Sequence, residues 1–447
     1  MKYPGFLRLQ YFAIAVAASV LVFAPAEAQF KPIKFSEYNL PNGLHVILHQ
    51  DQSAPVVSTV VHYRVGARDE DPTRSGFAHF FEHLMFEGTT NIKRATLSNY
   101  VQEAGGNLNA HTSFDETVYK FTLPSNELKL ALWIESQRMR GLLIDEIGVK
   151  TQRGVVKEER KNRYDNAPYG AWQELIFKNL FKGGTYSWTP IGSAQHIDSA
   201  TIDEFREFYN QFYEPNNATL VIAGDFNVTE AKEFIDEYFS GFKSSGEIKR
   251  NPLNLTQMSG EVRQTIEDTK AQLPAVFIGY RGPKKGDPDI YAMEMLTDLL
   301  SNGESSRMYR RLVDQDQIAV AAQTFPFDLQ QSGALIALGV AAPGKDISDV
   351  EKVIYEEIEK VKREGVSDKE FEKSKNIIEA RFVQGKKGTL EKAMALASYY
   401  SYFGDASLIN KEIDRYMAVT KNDIQRVAEK YLIANNRVVL TFMPKAQ

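Results

Sequence analysis

Residues 201–222 have the sequence TIDEFREFYNQFYEPNNATLVI, which aligns without a gap with residues 420–441, TKNDIQRVAEKYLIANNRVVLT. Both copies begin with a Thr that can cap a helix, continue with apolar residues at helical spacing, turn at an Asn pair and end in a β-branched strand. Helix–turn–strand units recur in many α/β proteins, but the matching Thr and Asn-Asn positions favour an internal duplication. The chain is therefore predicted to consist of two halves of roughly 200 residues, a repeat far too long for a solenoid.

Polar residues separate the two halves. The stretch 243–255 has the sequence KSSGEIKRNPLNL, and its Gly, Pro and charged residues are typical of a linker. A mature chain of about 420 residues also exceeds one ordinary core. We predict an N-terminal domain over residues 29–242, a linker over 243–262 and a homologous C-terminal domain over 263–447.

The first 28 residues have the pattern of a secretory signal peptide. Lys2 and Arg8 precede the apolar run FAIAVAASVLVF at 12–23, and a small-x-small cleavage site follows at 26–28. An uncleaved membrane anchor is the alternative, but the run is short against the roughly twenty residues that span a bilayer. We predict an exported protein, most simply a periplasmic one, without a membrane span after cleavage.

Composition excludes several classes of site. The chain contains no Cys, so neither disulfides nor a thiolate metal site can form, and any zinc must be held by His and carboxylate side chains. With 53 basic and 58 acidic residues the net charge is −5, and nothing indicates a nucleic-acid surface.

Residues 79–83, HFFEH, are the strongest chemical signal in the chain. On a helix, His79 and His83 lie one turn apart on the same face, which suits two nitrogen ligands of one Zn²⁺. Glu82 is not needed as a ligand and can take a proton from a metal-bound water. The order H-x-x-E-H is that of the inverzincin motif. The alternative is a pair of core or surface histidines on an ordinary helix.

A third protein ligand must come from elsewhere in the chain. The helical stretch 149–164 offers Glu158 and Glu159, which point about 100° apart. The residues alone do not choose between the two, and charge clusters of this kind are usually solvated faces.

The second half has no counterpart of the histidine pair. Aligning Gly88 with Gly303 places Glu294, Thr297 and Asp298 at the positions of the HFFEH motif's His, Glu and His. The metal site is therefore predicted in the first half only.

Several motifs together resemble the pitrilysin, insulinase and mitochondrial processing peptidase family of zinc metallopeptidases. They are HFFEH, GGNLNAHTSFDETVY, RGVVKEER, PIGS and PNNATLVIAGDF. The resemblance implies an α+β fold of two homologous α/β-sandwich-type domains forming half of a clamshell. It also implies one Zn²⁺ per chain held by His79, His83 and Glu159, with Glu82 as general base.

The same resemblance assigns a substrate role to the β-rich segment after the metal helix. Around Asn109 and Ala110, a strand of this family pairs with the extended substrate backbone. Strand addition binds a peptide through main-chain hydrogen bonds and does not depend on its sequence. The residues alone are equally compatible with an ordinary edge strand. His111 has no partner at ligand spacing and is not assigned to the metal.

Two departures from the family pattern matter. Gln152 stands seven residues before the third ligand, where the family commonly has a Glu that tunes the metal through its ligands, so this tuning is expected to be weaker. In the second half the family carries an Arg and a Tyr that hold the substrate, whereas this chain has Val313 and Val320. Arg307 matches a different Arg of the pattern and does not replace the missing one.

These observations together predict a zinc endopeptidase that hydrolyses peptides or unfolded segments within a closed chamber. A homologous partner subunit would supply the missing Arg and Tyr in a heterodimer, with a homodimer as the second choice. The alternative is a catalytically weak or inactive binding or assembly subunit.

Overall fold

The computed structural model describes residues 32–244 and 246–445. The predicted signal peptide, residues 1–28, lies outside the described residues. From Ile33 onward the chain forms one compact unit. Within the described ranges, no helix combines the length and the apolar character needed to cross a bilayer.

The first half is built on a six-stranded sheet in the order β1-β2-β6-β3-β5-β4. Its strands are β1 (Ser36–Asn39), β2 (His45–Gln50), β3 (Val56–Tyr63), β4 (Asn107–Thr112), β5 (Thr117–Pro124) and β6 (Ala218–Gly224). Its helices are α1 (Phe77–Leu84), α2 (Leu97–Glu103), α3 (Leu128–Gly141), α4 (Glu146–Arg160), α5 (Trp172–Leu180), α6 (Ala194–Ser199), α7 (Ile202–Phe212) and α8 (Val228–Phe239).

The second half is built on a five-stranded sheet in the order β7-β11-β8-β10-β9. Its strands are β7 (Val262–Asp268), β8 (Ala275–Gly282), β9 (Ala319–Phe327), β10 (Gly333–Ala341) and β11 (Arg437–Pro444). Its helices are α9 (Asp289–Ser301), α10 (Ile347–Glu364), α11 (Asp368–Gln384), α12 (Thr389–Phe403), α13 (Glu412–Met417) and α14 (Lys421–Tyr431).

The topology of the two sheets confirms the predicted duplication. In each half the last strand, β6 or β11, pairs parallel with the first long strand, β2 or β7, and antiparallel with the next, β3 or β8. The remaining two strands follow in the same antiparallel order out to the edge, and β1 is an addition to the first half. The predicted mixed α/β fold of two homologous domains is correct.

The second Asn of the repeated Asn pair makes the same hydrogen bond in both halves. The side-chain amide of Asn217 donates to the Phe212 carbonyl at 2.7 Å, and that of Asn436 donates to the Tyr431 carbonyl at 2.8 Å. Each bond satisfies a carbonyl at the end of a helix, where no backbone N–H follows to do so. The repeated Asn therefore fixes the turn from helix into the central strand.

A reciprocal exchange of helices joins the halves, which the sequence did not predict. Helix α5 of the first half packs on β8 and β11, where the Trp172 and Phe277 rings stack at 5.3 Å. Helix α12 of the second half packs on β3 and β6, where Ser401 and Thr219 share a 3.2 Å hydrogen bond. Each sheet is thus covered on one face by a helix from the other half, so the two cores are interdependent.

The stretch between α8 and β7 has no helix or strand among its described residues. It is nevertheless held to the first half, because the Asn251 side-chain amide donates to the carbonyls of Arg68 and Glu70. The domain limits at 242 and 263 stay a prediction.

Candidate metal centre

Helix α1 presents its two histidines on the side away from an aromatic cluster. Phe80 and Phe81 are buried and pack against Phe205 of α7, with ring centroids 4.7 and 6.1 Å away. This packing fixes the rotation of α1 about its axis. His79 and His83 therefore both face α4, and their ring centroids lie 4.8 Å apart.

Three ligand-type side chains converge between α1 and α4. The Nε2 atoms of His79 and His83 lie 3.6 and 3.2 Å from Oε2 of Glu159. One ligand atom from each residue falls within 4.8 Å of the others, and no other such His/Cys/Asp/Glu group occurs in residues 32–244 and 246–445. The proximity of both imidazoles holds the pKa of the Glu159 carboxyl well below its usual range. Two imidazoles and one ionised carboxylate fit the donor set of a catalytic zinc, which keeps a fourth position open.

The structure separates the two carboxylates between which the residues alone did not choose. Glu158 is exposed and lies 3.7 Å from Lys161. Glu159 faces the histidines and also pairs with Arg163 at 2.8 Å. The packing of α4 on α1 sets this choice, because it turns one side of α4 inward.

Glu82 lies on α1 directly before His83 and is half-buried. Burial raises the pKa of Tyr119 and Tyr213, and the nearby charge of Glu82 adds to the effect. The Tyr119 hydroxyl also donates to the Phe81 carbonyl at 3.2 Å, next to Glu82 in the chain. Glu82 thus has two buried phenols in its neighbourhood.

Gln152 does not hydrogen-bond to any of the three ligands. Its amide donates to Glu87 at 2.6 Å, beyond the end of α1, and Glu87 is also bonded to Arg94 at 2.6 Å. Arg94 in turn pairs with Asp145, the residue that caps α4. Gln152 thus belongs to a chain of contacts that ties α1 to α4. Sequence reasoning missed Glu87 and Arg94, which carry no motif of their own.

The predicted substrate strand lies beside the metal helix. Strand β4 is at the edge of the first sheet and contacts α1, and within the described chain it pairs only with β5. Asn109 is exposed and Ala110 is half-buried on this strand. His111 pairs with Glu116 at 3.3 Å and takes no part in the metal cluster. The unpaired side of β4 offers main-chain groups to an extended peptide.

The two valines that stand at the positions of the missing Arg and Tyr lie in different surroundings. Val313 packs against the core of the second half, while Val320 is 52% exposed on the edge strand β9. Arg307 is bound to Glu370 at 2.7 Å and does not substitute for the absent arginine.

In the corresponding helix of the second half, α9, the side chains at the positions of His79, Glu82 and His83 make hydrogen bonds within the protein. Glu294 accepts from the Tyr416 hydroxyl at 2.6 Å, and Thr297 donates to the Met293 carbonyl at 2.8 Å. Asp298 accepts from the Asn302 amide at 3.0 Å.

Comparison with known proteins shows the family to which this chain belongs. The sequence model described as "Insulinase (Peptidase family M16)" matches residues 45–191, and that described as "Peptidase M16 inactive domain" matches residues 199–378. The chain belongs to the insulinase family of peptidases. The first model covers α1 and α4, so the candidate ligands lie in the part of the chain that resembles insulinase.

Relatives in this family carry the name of zinc proteases. The zinc protease PqqE of Helicobacter pylori is 28% identical over 434 residues, which span 96% of this chain and 97% of that one. The crystal structure of a protease from Helicobacter pylori matches with a TM-score of 0.89 at 28% identity, over 93% of this chain and all of the other. The periplasmic protease PqqL from Escherichia coli matches with a TM-score of 0.75 at 19% identity, and the match covers 92% of this chain but 47% of PqqL.

Proposed function

We propose that this protein is a zinc-dependent endopeptidase that hydrolyses peptides or unfolded polypeptide segments. The observation that carries the proposal is the convergence of His79, His83 and Glu159 within 4.8 Å, beside a sheet edge that is open to an extended chain. The zinc-protease names of the relatives support the choice of metal.

The roles of the residues follow from their placement. His79, His83 and Glu159 hold Zn²⁺, which when bound polarises a carbonyl and lowers the pKa of a water molecule. Glu82 takes the proton of the attacking water and returns it to the leaving amine. Strand β4, around Asn109 and Ala110, aligns the peptide backbone by strand addition without reading its side chains.

A second subunit completes the substrate chamber in this proposal. PqqL is about twice as long as the region it shares with this chain, so one PqqL chain has room for two such units. The match to PqqL takes up 92% of this chain, which has Val313 and Val320 at the positions of the Arg and the Tyr. A homologous partner in a heterodimer would supply both, and a homodimer is the second choice.

Export to the periplasm is part of the same proposal. It rests on the signal-peptide pattern of residues 1–28 and on the description of PqqL as periplasmic. The test is fractionation of the native host, with the amino terminus of the mature protein determined by mass spectrometry.

A catalytically weak or inactive assembly subunit is the second candidate. The absence of the Arg/Tyr pair favours it, because substrate would then be held poorly even though the metal ligands are complete. The model described as "inactive domain" matches residues 199–378, which extend from the last elements of the first half into the second half and contain none of the candidate ligands.

One experiment separates the two candidates. Bound zinc is measured by atomic emission, and hydrolysis of a generic quenched-fluorescence peptide is followed for the purified mature chain, alone and with its homologous neighbour from the same cell. The Glu82→Gln protein is the control for contaminating proteases. Zinc binding with no hydrolysis in either mixture would reject the peptidase and favour the assembly subunit.

A further inference from the structure

One loop contacts both of the helices that carry the candidate ligands, α1 and α4. The loop contributes no ligand itself. This bridging loop consists of residues 188–193, WTPIGS, and includes the PIGS motif. It lies against the beginning of α1 and the end of α4 at the same time.

The beginning of α1 is held by a buried carboxyl group. Helix α1 starts after Gly76, which has a φ of 100° and no capping side chain of its own. The carboxyl group of Glu70, fully buried, accepts from the backbone N–H groups of Gly76 and Ala78, both at 2.8 Å. These two bonds satisfy N–H groups that have no partner inside the helix, and burial raises the pKa of the Glu70 carboxyl to about 8.

The bridging loop holds both Glu70 and the residue that precedes the first turn of α1. The indole N–H of Trp188 donates to Glu70 at 3.0 Å and to the Ala67 carbonyl at 2.9 Å. The backbone N–H of Ser193 donates to the Ser75 hydroxyl at 3.1 Å. His79 lies one helical turn after Gly76, so these contacts fix the position of the turn that carries the first imidazole.

The same loop binds the end of α4. Arg160 directly follows the ligand Glu159, and its guanidinium donates to the Gly192 carbonyl at 2.5 Å. The same Nη1 also donates to Glu174 at 2.6 Å, and Nη2 donates to Glu174 at 3.1 Å, which holds the guanidinium in place. The hydrogen bond to the Gly192 carbonyl therefore anchors the carboxyl-terminal end of α4 to the loop.

Gly192 and Gly76 touch backbone to backbone. A Cβ atom added to Gly192 would lie 2.3 Å from the Cα of Gly76, and the φ of +65° at Gly192 also favours glycine. No flexible side chain separates the two residues, so an enlargement at 192 must push the loop and the beginning of α1 apart.

We infer that the bridging loop sets the distance between α1 and α4 and thereby the zinc affinity, with Glu70 and Arg160 as positioning residues. The inference rests on the proposed zinc site but not on peptide hydrolysis. Zinc requires ligand atoms about 2 Å from the metal, so a displacement of one helix by a fraction of an ångström lengthens a metal bond. Residues behind the ligands typically change metal affinity about 10–100-fold.

The test compares two glycine variants of the full mature chain. In Gly192→Ala the new methyl group pushes on α1, whereas in Gly154→Ala the same change falls in the exposed middle of α4 with nothing within 4 Å. Zinc affinity is measured by competition with a chromophoric chelator, and the melting temperature of each zinc-free protein is measured separately. We expect zinc affinity to fall about tenfold or more in Gly192→Ala and to stay unchanged in Gly154→Ala.

A milder variant covers the case in which Gly192→Ala does not fold. Arg160→Lys keeps the charge but loses the fork that reaches Gly192 and Glu174 together, so affinity should fall several-fold with little change in zinc-free melting. The cobalt-loaded protein gives an independent readout, because its visible absorption reports the coordination geometry. Unchanged zinc affinity and unchanged cobalt spectrum in the folded variants would overturn the inference.

The outcome is distinguishable from failure of the proposed function. A wild-type chain that binds zinc tightly but cleaves no peptide rejects the peptidase and leaves the affinity comparison intact. A wild-type chain that cleaves peptide, with variants that bind zinc equally well, rejects the bridging role alone.

Discussion

The guanidinium of Arg381 donates to both carboxylate oxygens of Asp298, at 2.8 and 3.0 Å. Asp298 lies on α9 and Arg381 on α11, the helices that correspond to α1 and α4. In the first half the corresponding pair brings His83 to Glu159 at 3.2 Å. The duplicated helix pair thus holds a positively charged arginine side chain in the second half. In the first half it holds the candidate ligands of a metal cation.

The first prediction concerns the metal ligands. Replacing His79, His83 or Glu159 with Ala should abolish stoichiometric zinc binding, since each removes one of three protein ligands. Atomic emission on the dialysed proteins measures the zinc content. Glu158→Ala is the matched control, because this exposed neighbour points away from the cluster, and it should keep one zinc per chain. Full zinc in the Glu159→Ala protein would refute the ligand assignment.

The second prediction concerns the general base. Glu82→Gln should retain zinc and melt like the wild type, because the amide occupies the same space. Hydrolysis should fall about 10²–10⁴-fold, since an amide cannot accept the proton of water. Initial rates on a quenched peptide, at equal zinc content, provide the measurement. A variant with near-normal turnover would exclude the proposed role of Glu82.

The third prediction concerns the partner. The purified chain alone should hydrolyse peptide weakly, and its homologous neighbour should raise the rate well beyond the sum of the two. The double variant Val313→Arg, Val320→Tyr should increase the activity of the chain alone by restoring both substrate-holding side chains. Ile433→Tyr, a change at a position of the second half that is exposed and apolar like Val320, is the control and should have no effect. A fully active homodimer of the wild-type chain would contradict the division of labour.

The fourth prediction concerns acid stability. The bidentate contact with Arg307, at 2.7 and 3.0 Å, lowers the pKa of Glu370 to about 2. Because the folded-state pKa is depressed, the pair stabilises the fold above the unfolded-state value of about 4.3 and loses this contribution as the pH falls towards 2.

Arg307→Met should therefore cost about 1 kcal/mol of unfolding free energy at pH 7, and the difference from the wild type should shrink below pH 4. Urea denaturation at pH 7, 4 and 3 measures the effect. Arg363→Met, at an exposed arginine whose nearest carboxylate is 3.5 Å away, should differ little from the wild type at any of these pH values. A deficit for Arg307→Met that is constant with pH would show that the ion pair is not its cause.

Several features followed from local sequence alone. The repeated segments at 201–222 and 420–441 predicted the duplication, and both copies form a capped helix, a turn closed by Asn217 or Asn436, and a central strand. The spacing of His79 and His83 predicted one shared face because helical geometry relates residues four apart. These features depend on hydrogen bonds and side-chain periodicity among neighbouring residues, so they are visible in a short window.

Other features depended on which surfaces meet after folding. Nothing in the residues alone separated Glu159 from Glu158; the family resemblance chose Glu159, and in the structure the packing of α4 on α1 turns that side chain inward. The exchange of α5 and α12 between the halves, and the contact of Gly192 with Gly76, join segments far apart in the chain. Such contacts are selected by the burial of apolar surface over the whole molecule, and no local pattern encodes them. The sequence by itself determined the repeated unit and the histidine pair, whereas only the tertiary structure decided how two helices approach closely enough to share one metal.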